Sequence, residues 1–117
     1  MKRSKMLVMI LVVALIWASG IYNIAAAVVS KDLEVVETAT ERDEYGVLYI
    51  VGKLKNNNKK TYSYVQVTFN LYDNDGAQIG TTLANTTNLE GGGVWKFKAV
   101  ILEDNAAKYK LTGIDAF

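Results

Sequence analysis

The chain has 117 residues with 13 basic and 12 acidic side chains, a formal charge of +1, and contains no cysteine, histidine or proline. That composition leaves no disulfide framework, no thiolate or imidazole metal site and no histidine base, and the cysteine of a lipid anchor is missing too. Lys2, Arg3 and Lys5 stand ahead of the first apolar run, so the remainder holds 10 basic against 12 acidic residues, a near-neutral surface with no electrostatic footprint for nucleic acid.

The first element is apolar. Met6 to Ala18 is unbroken, and after Ser19-Gly20 the run resumes from Ile21 to Val29. Read as one helix, residues 6–29 would extend about 36 Å and cross a bilayer. The three leading cations put its N-terminus in the cytoplasm and everything after residue 30 outside. Two fates fit the pattern. Ala25-Ala26-Ala27 is an A-x-A site at which a signal peptide would be cut, leaving Val28 first, or the helix stays uncut as a signal anchor. The distance of the site from the thirteen-residue apolar block favours the anchor. Residues 1–30 are therefore assigned to export or anchoring and residues 31–117 to the domain.

Within the domain, strands follow one another at short intervals. Residues 33–42 form a first β-branched run, and Asp43-Glu44-Tyr45-Gly46 turns it. Residues 47–55 give a second strand with Leu48, Ile50 and Leu54 on one face; Gly52 in that face signals a bulge or a close backbone approach. Asn56 to Lys60 reads as a solvated polar loop. The third strand, 61–72, is the best patterned: Val65, Val67, Phe69 and Leu71 alternate with Gln66, Thr68, Asn70 and Tyr72, the two-residue period of a half-buried strand. Asp73-Asn74-Asp75-Gly76 stops it with residues that bond their own backbone or accept positive φ. A fourth strand, 77–88, uses Ile79, Thr81 and Leu83. In the fifth, 94–101, Trp95, Phe97, Ala99 and Ile101 point inward while Lys96 and Lys98 point out. Residues 108–117 supply the last. Six or seven short strands with no helical segment between them describe an all-β, antiparallel two-sheet sandwich, with a closed barrel as the alternative.

Phe69-Asn-Leu71-Tyr72-Asp73 resembles the motif that names the FxLYD domain family. Val51-Gly52-Lys-Leu-Lys-Asn56 is similar to that family's upstream strand, Gly76 to its turn glycine, and Leu89-Glu-Gly91 with Trp95-Lys-Phe97 to its closing segment; together they cover roughly residues 35–102. The resemblance implies an immunoglobulin-like β-sandwich of the bacterial or archaeal cell envelope, without catalytic residues. Many family members hold a lipobox cysteine, which this chain lacks, so its tether must be protein.

Several residues invite a sharper reading. Asp73, Asp75 and Gly76 look like half of a calcium loop, but the bidentate acid such a loop needs six residues after its glycine is Thr82 here, so a hairpin turn is expected and no metal or cofactor. Tyr62, Tyr64 and Tyr72 are expected on the outward face of the third strand, with Tyr49 joining from the second, as a patch for glycan or peptide or simply as sheet-stabilising pairs. Asn85-Thr86-Thr87 is a glycosylation sequon. Ser63, the only serine beyond residue 30, lacks a base in its neighbourhood, so no catalytic constellation is expected. The sequence thus points to a non-enzymatic, membrane-tethered module outside the cytoplasm, binding an envelope protein or surface ligand. A pilin-like filament subunit and a secreted module released at Ala27 are the alternatives.

Overall fold

A computed structural model describes residues 21–23 and 32–117. Seven strands follow in order: β1 (Tyr22–Asn23), β2 (Leu33–Arg42), β3 (Leu48–Asn56), β4 (Tyr62–Tyr72), β5 (Gln78–Leu89), β6 (Val94–Ile101) and β7 (Lys108–Ala116). They make two sheets, β1-β7-β4-β5 and β2-β3-β6. All pairings are antiparallel except that of β1 with β7, where Tyr22 and Asn23 lie beside Lys108 and Tyr109. The six strands expected from residue 33 onward are all present, with ends within a residue of expectation.

Alternation builds the core. Val65, Val67, Phe69 and Leu71 of β4 are fully buried, and Ile50 and Leu54 of β3 face them with Phe97, Ala99 and Ile101 of β6. Phe69 sits at the centre, its ring 5.8 Å from Phe97 and edge-on to Tyr109 at 5.8 Å. Truncating so enclosed an aromatic costs about 3–5 kcal/mol. Gly52 is explained by the same packing: a Cβ there would collide with the Glu37 carbonyl and lie 2.5 Å from the Phe97 ring. Of the two expectations, close approach holds on β3; the bulge falls on the neighbouring β2, between Val35 and Glu37.

Three expectations are corrected. In β5 the bulge beside Leu71 and Tyr72 slips the register at Ile79, which reverses the alternation: Ala84 is buried and Leu83 is 46% exposed. Asn56 is not solvated but wholly buried. And Tyr22–Asn23, assigned to the apolar helix, form β1, preceded by Ile21 in the core. The rest of that expected helix, with Ala25 and Ala27, lies outside the described residues. Among the described residues no helix is long and apolar enough to cross a membrane.

The two hairpin turns are built alike. Asp43 Oδ1 accepts the N–H groups of Tyr45 and Val47, both at 2.9 Å, and Asp73 Oδ1 accepts those of Asp75 and Ala77 at 2.9 and 3.0 Å. Gly46 and Gly76 close them at φ +82° and +84°, a region where a side chain is costly.

Candidate functional site

The four tyrosines do not form one face. Tyr49 stands on the outside of the β2-β3-β6 sheet, whereas Tyr64 and Tyr72 stand on the outside of the other sheet. Tyr62 is buried. It opens β4, where its ring closes the end of the sandwich: its hydroxyl donates to Asp32 Oδ2 at 3.4 Å and accepts from Asn58 Nδ2 at 3.5 Å. The outward set is thus reduced to Tyr64 and Tyr72, eight residues and roughly 27 Å apart along β4.

Between them runs a polar ladder. The Tyr64 hydroxyl donates to Gln66 Oε1 at 2.6 Å, Gln66 Nε2 donates to Thr68 Oγ1 at 3.2 Å, and Asn70 Nδ2 donates to the Tyr72 hydroxyl at 3.3 Å. Tyr64 stacks on Phe117 with ring centroids 5.2 Å apart, and Lys110 Nζ lies 5.7 Å from the Tyr72 ring. Asn85, the sequon asparagine, is exposed on β5 directly beside Gln66.

Tyr49 belongs to a separate cluster on the opposite sheet. Lys98 Nζ lies 4.3 Å over its ring, and its hydroxyl donates to Asp43 Oδ2 at 3.3 Å. Desolvation pushes the Asp43 carboxyl up, but the N–H groups of Val47 and Tyr45, the Tyr49 hydroxyl and the Lys98 charge outweigh it and hold the carboxyl below its ordinary value. Tyr49 is raised by desolvation and by the Asp43 charge that accepts its proton. The arrangement stabilises a turn; it offers no group poised for proton transfer at neutral pH.

The motif residues serve structure. Phe69 and Leu71 fill the core, Tyr72 faces out, and Asp73 and Gly76 make the turn. The Asp73 carboxylate is thereby engaged by backbone N–H groups, and among the described residues no three acids gather to hold a metal. Ser63 Oγ donates to the Phe117 carbonyl at 2.8 Å.

Two buried polar groups escaped the sequence reading. Asn56 Nδ2 donates to the carbonyls of Lys60, Leu89 and Glu90 at 3.0–3.2 Å, and its Oδ1 accepts the Asn58 N–H. It ties the β3–β4 and β5–β6 connections together. Tyr109 donates across the sandwich to Thr38 Oγ1 at 3.0 Å. Asn56 carried a signal in its place at the end of the Val51-Gly52 motif; Tyr109 carried none beyond its position on an alternating strand. Phe117 was assigned to the last strand with no hint of its stacking on Tyr64.

At one end of the sandwich a cleft of about 370 Å³ opens between residues 43–47 and 101–106, lined by Ile21, Tyr45 and Leu102 among others. Ile21 therefore lies at the end that carries the exposed side chains of Tyr45 and Leu102.

No protein-family model matches the chain, and no curated protein matches it, so the FxLYD resemblance rests on the motif residues themselves. Two solved structures are similar. IrmA from Escherichia coli superposes with a TM-score of 0.53 and 13% identity, covering 73% of this chain and 75% of that one. A DUF1425 family member from Shewanella sp. pv-4 superposes with a TM-score of 0.56 and 20% identity, covering 79% and 84%. The likeness is one of fold: this chain shares a small β-sandwich with both.

Proposed function

We propose that the chain is a non-enzymatic, membrane-tethered β-sandwich module of FxLYD type that stands outside the cytoplasm and binds a protein or surface ligand of the cell envelope. The observation that carries this reading is the apolar run from Met6 to Ala18 behind three cations, and Ile21 bears on whether it is cut. An apolar run led by three cations ends at Ala18, and three residues later Ile21 is buried in the sandwich, followed at once by a strand that pairs with β7. Residues 6–20, ahead of Ile21, would make about 22 Å of helix rather than the ~36 Å of residues 6–29, so a tether built from them would be a short span that thins the bilayer locally. Cutting after Ala27 would remove a core side chain and β1 from the folded domain, which favours the uncut anchor over the secreted form. The immunoglobulin-like reading is supported by the strand order, since β2-β3-β6 facing β7-β4-β5 follows the A-B-E and F-C-C′ arrangement of such domains. The engagement of Ser63 with a backbone carbonyl supports a non-catalytic role.

The test is the intact mass of the protein from washed membranes, culture medium and sheared surface material. Full-length mass confined to membranes is expected. A mass beginning at Val28 in the medium would replace the tether by secretion, and full-length chain concentrated in sheared material would favour a filament subunit.

A further inference from the structure

We propose that the outer face of the β7-β4-β5 sheet binds an uncharged glycan chain. The first argument is charge. On the opposite sheet the outward positions of β3 and β6 include Lys53, Lys55, Lys96 and Lys98, and β2 adds Glu37 and Glu41. On β4 and β5 every outward position from Tyr64 to Tyr72 and from Thr81 to Thr87 is uncharged. A sheet face kept merely soluble draws on charged side chains, as the other sheet does. Here the charges are confined to β7, where Lys108, Lys110 and Asp115 point outward, while β4 and β5 present amides, hydroxyls and aromatic rings.

Those groups suit a polyhydroxyl ligand. The ladder from Tyr64 through Gln66 to Thr68, and from Asn70 to Tyr72, fixes the side-chain rotamers while using only part of their capacity. Each amide keeps a second N–H and further lone pairs, the adjacent donor and acceptor that sugar hydroxyls require. Preorganisation of this kind reduces the entropy lost on binding. The apolar faces of sugar rings need a platform, and Tyr64 stacked on Phe117 provides one. Phe117 is 72% exposed, yet its backbone exchanges two hydrogen bonds with Tyr64 at 3.0 and 3.1 Å, so the ring is held.

The middle of the face is low. Gly113 lies beside Thr68, and a Cβ there would meet nothing nearer than 3.8 Å. Packing does not demand that glycine, so its missing side chain leaves room for a ligand, bordered by the Asp115 carboxylate and Thr68. The charges of β7 are mixed in sign, with Lys108 and Lys110 beside Tyr72 and Asn70 and Asp115 beside Gln66, so no continuous cationic track for a polyanion runs along the face. Leu83 and Phe117 are the large apolar side chains exposed on this face, too few for the core of a protein interface.

The inference names the ligand class for the envelope module proposed above, and its test is independent of localisation. Full-length protein in detergent micelles is sedimented with insoluble chitin and with insoluble cellulose, which separate N-acetylated amino-sugar strands from plain glucans. Retention on at least one, undisturbed by dextran sulfate, is expected. Gln66→Ala and Asn70→Ala alter outward amides away from the core and should each weaken retention about tenfold, the scale of one well-made hydrogen bond. Lys96→Ala on the other sheet should leave it unchanged. Circular dichroism of each variant verifies the fold. Failure of folded wild-type protein to bind either polymer overturns the proposal, as does binding that survives both amide substitutions or is lost with Lys96→Ala. A chain held in membranes that binds neither polymer removes the glycan and leaves the tether; glycan binding by a chain found in the medium does the reverse.

Discussion

Tyr109 and Asn56 carry the polar side of this core, and each yields a measurable consequence. Burial pushes the Tyr109 hydroxyl up to about 12, against an ordinary 10, with the bond to Thr38 opposing it in part. A raised phenol means that the folded state holds its proton more tightly than the unfolded chain does. The associated stability is fully present below pH 10 and is lost as pH climbs from 10 towards 12, about 2–3 kcal/mol in all. Denaturant midpoints measured from pH 8 to 12 should fall across that window in the wild type. In Tyr109→Phe the decline from this group should vanish, at the cost of about 1–2 kcal/mol at neutral pH for the stranded Thr38 hydroxyl. Asn56 is the more demanding residue, because three carbonyl oxygens and one N–H depend on it. Asn56→Ala should destabilise by about 2–3 kcal/mol, lowering Tm on the order of 10–20 °C in a domain of this size. A loss under about 0.5 kcal/mol would mean that water replaces the side chain.

At the scale of elements, two hairpin turns and one short strand make separate claims. Residues 43–47 and 73–77 repeat one device, an Asp whose carboxylate accepts two N–H groups and a glycine at φ above +80°. Gly46→Ala and Gly76→Ala should therefore cost the same, about 1 kcal/mol each, and a marked inequality in chemical denaturation would break the equivalence. The strand β1 brings Ile21 into the core, so a domain beginning at residue 21 should melt higher than one beginning at residue 28, and Ile21→Ala within the longer form should recover most of the difference. Equal melting temperatures would detach β1 from the fold. These elements also mark what was legible. Strands β2 to β7 could be read because their alternation is local and each is bounded by Asp, Asn or Gly. Leu83 was misjudged because one extra residue at Ile79 inverts every side chain after it, and a bulge has no composition of its own. Tyr62 shared the outward parity of Tyr64 but lies at a strand end, where the open side of the sandwich draws it in. The tyrosine face failed in part for a different reason: Tyr49 lies on the other sheet, and sheet membership is decided by connections that cross the sandwich.

Those connections govern how the whole molecule assembles. The hairpins β2–β3 and β4–β5 are local, but β3 pairs with β6 only across the intervening β4–β5 hairpin, and β4 meets β7 across β5 and β6. Closing such loops costs entropy before any contact compensates for it, so the fold belongs among the slower single domains, refolding in milliseconds to seconds. Nothing in the chain adds a slower step by covalent chemistry: with no proline and no cysteine, neither prolyl isomerisation nor disulfide exchange has a source. Stopped-flow refolding of residues 21–117 should show a single phase whose rate does not depend on protein concentration. Phe69→Leu and Phe97→Leu, which loosen the contact between the sheets, should change stability more than Gly76→Ala does. A phase lasting tens of seconds that quickens with concentration would instead reveal association between copies as part of folding.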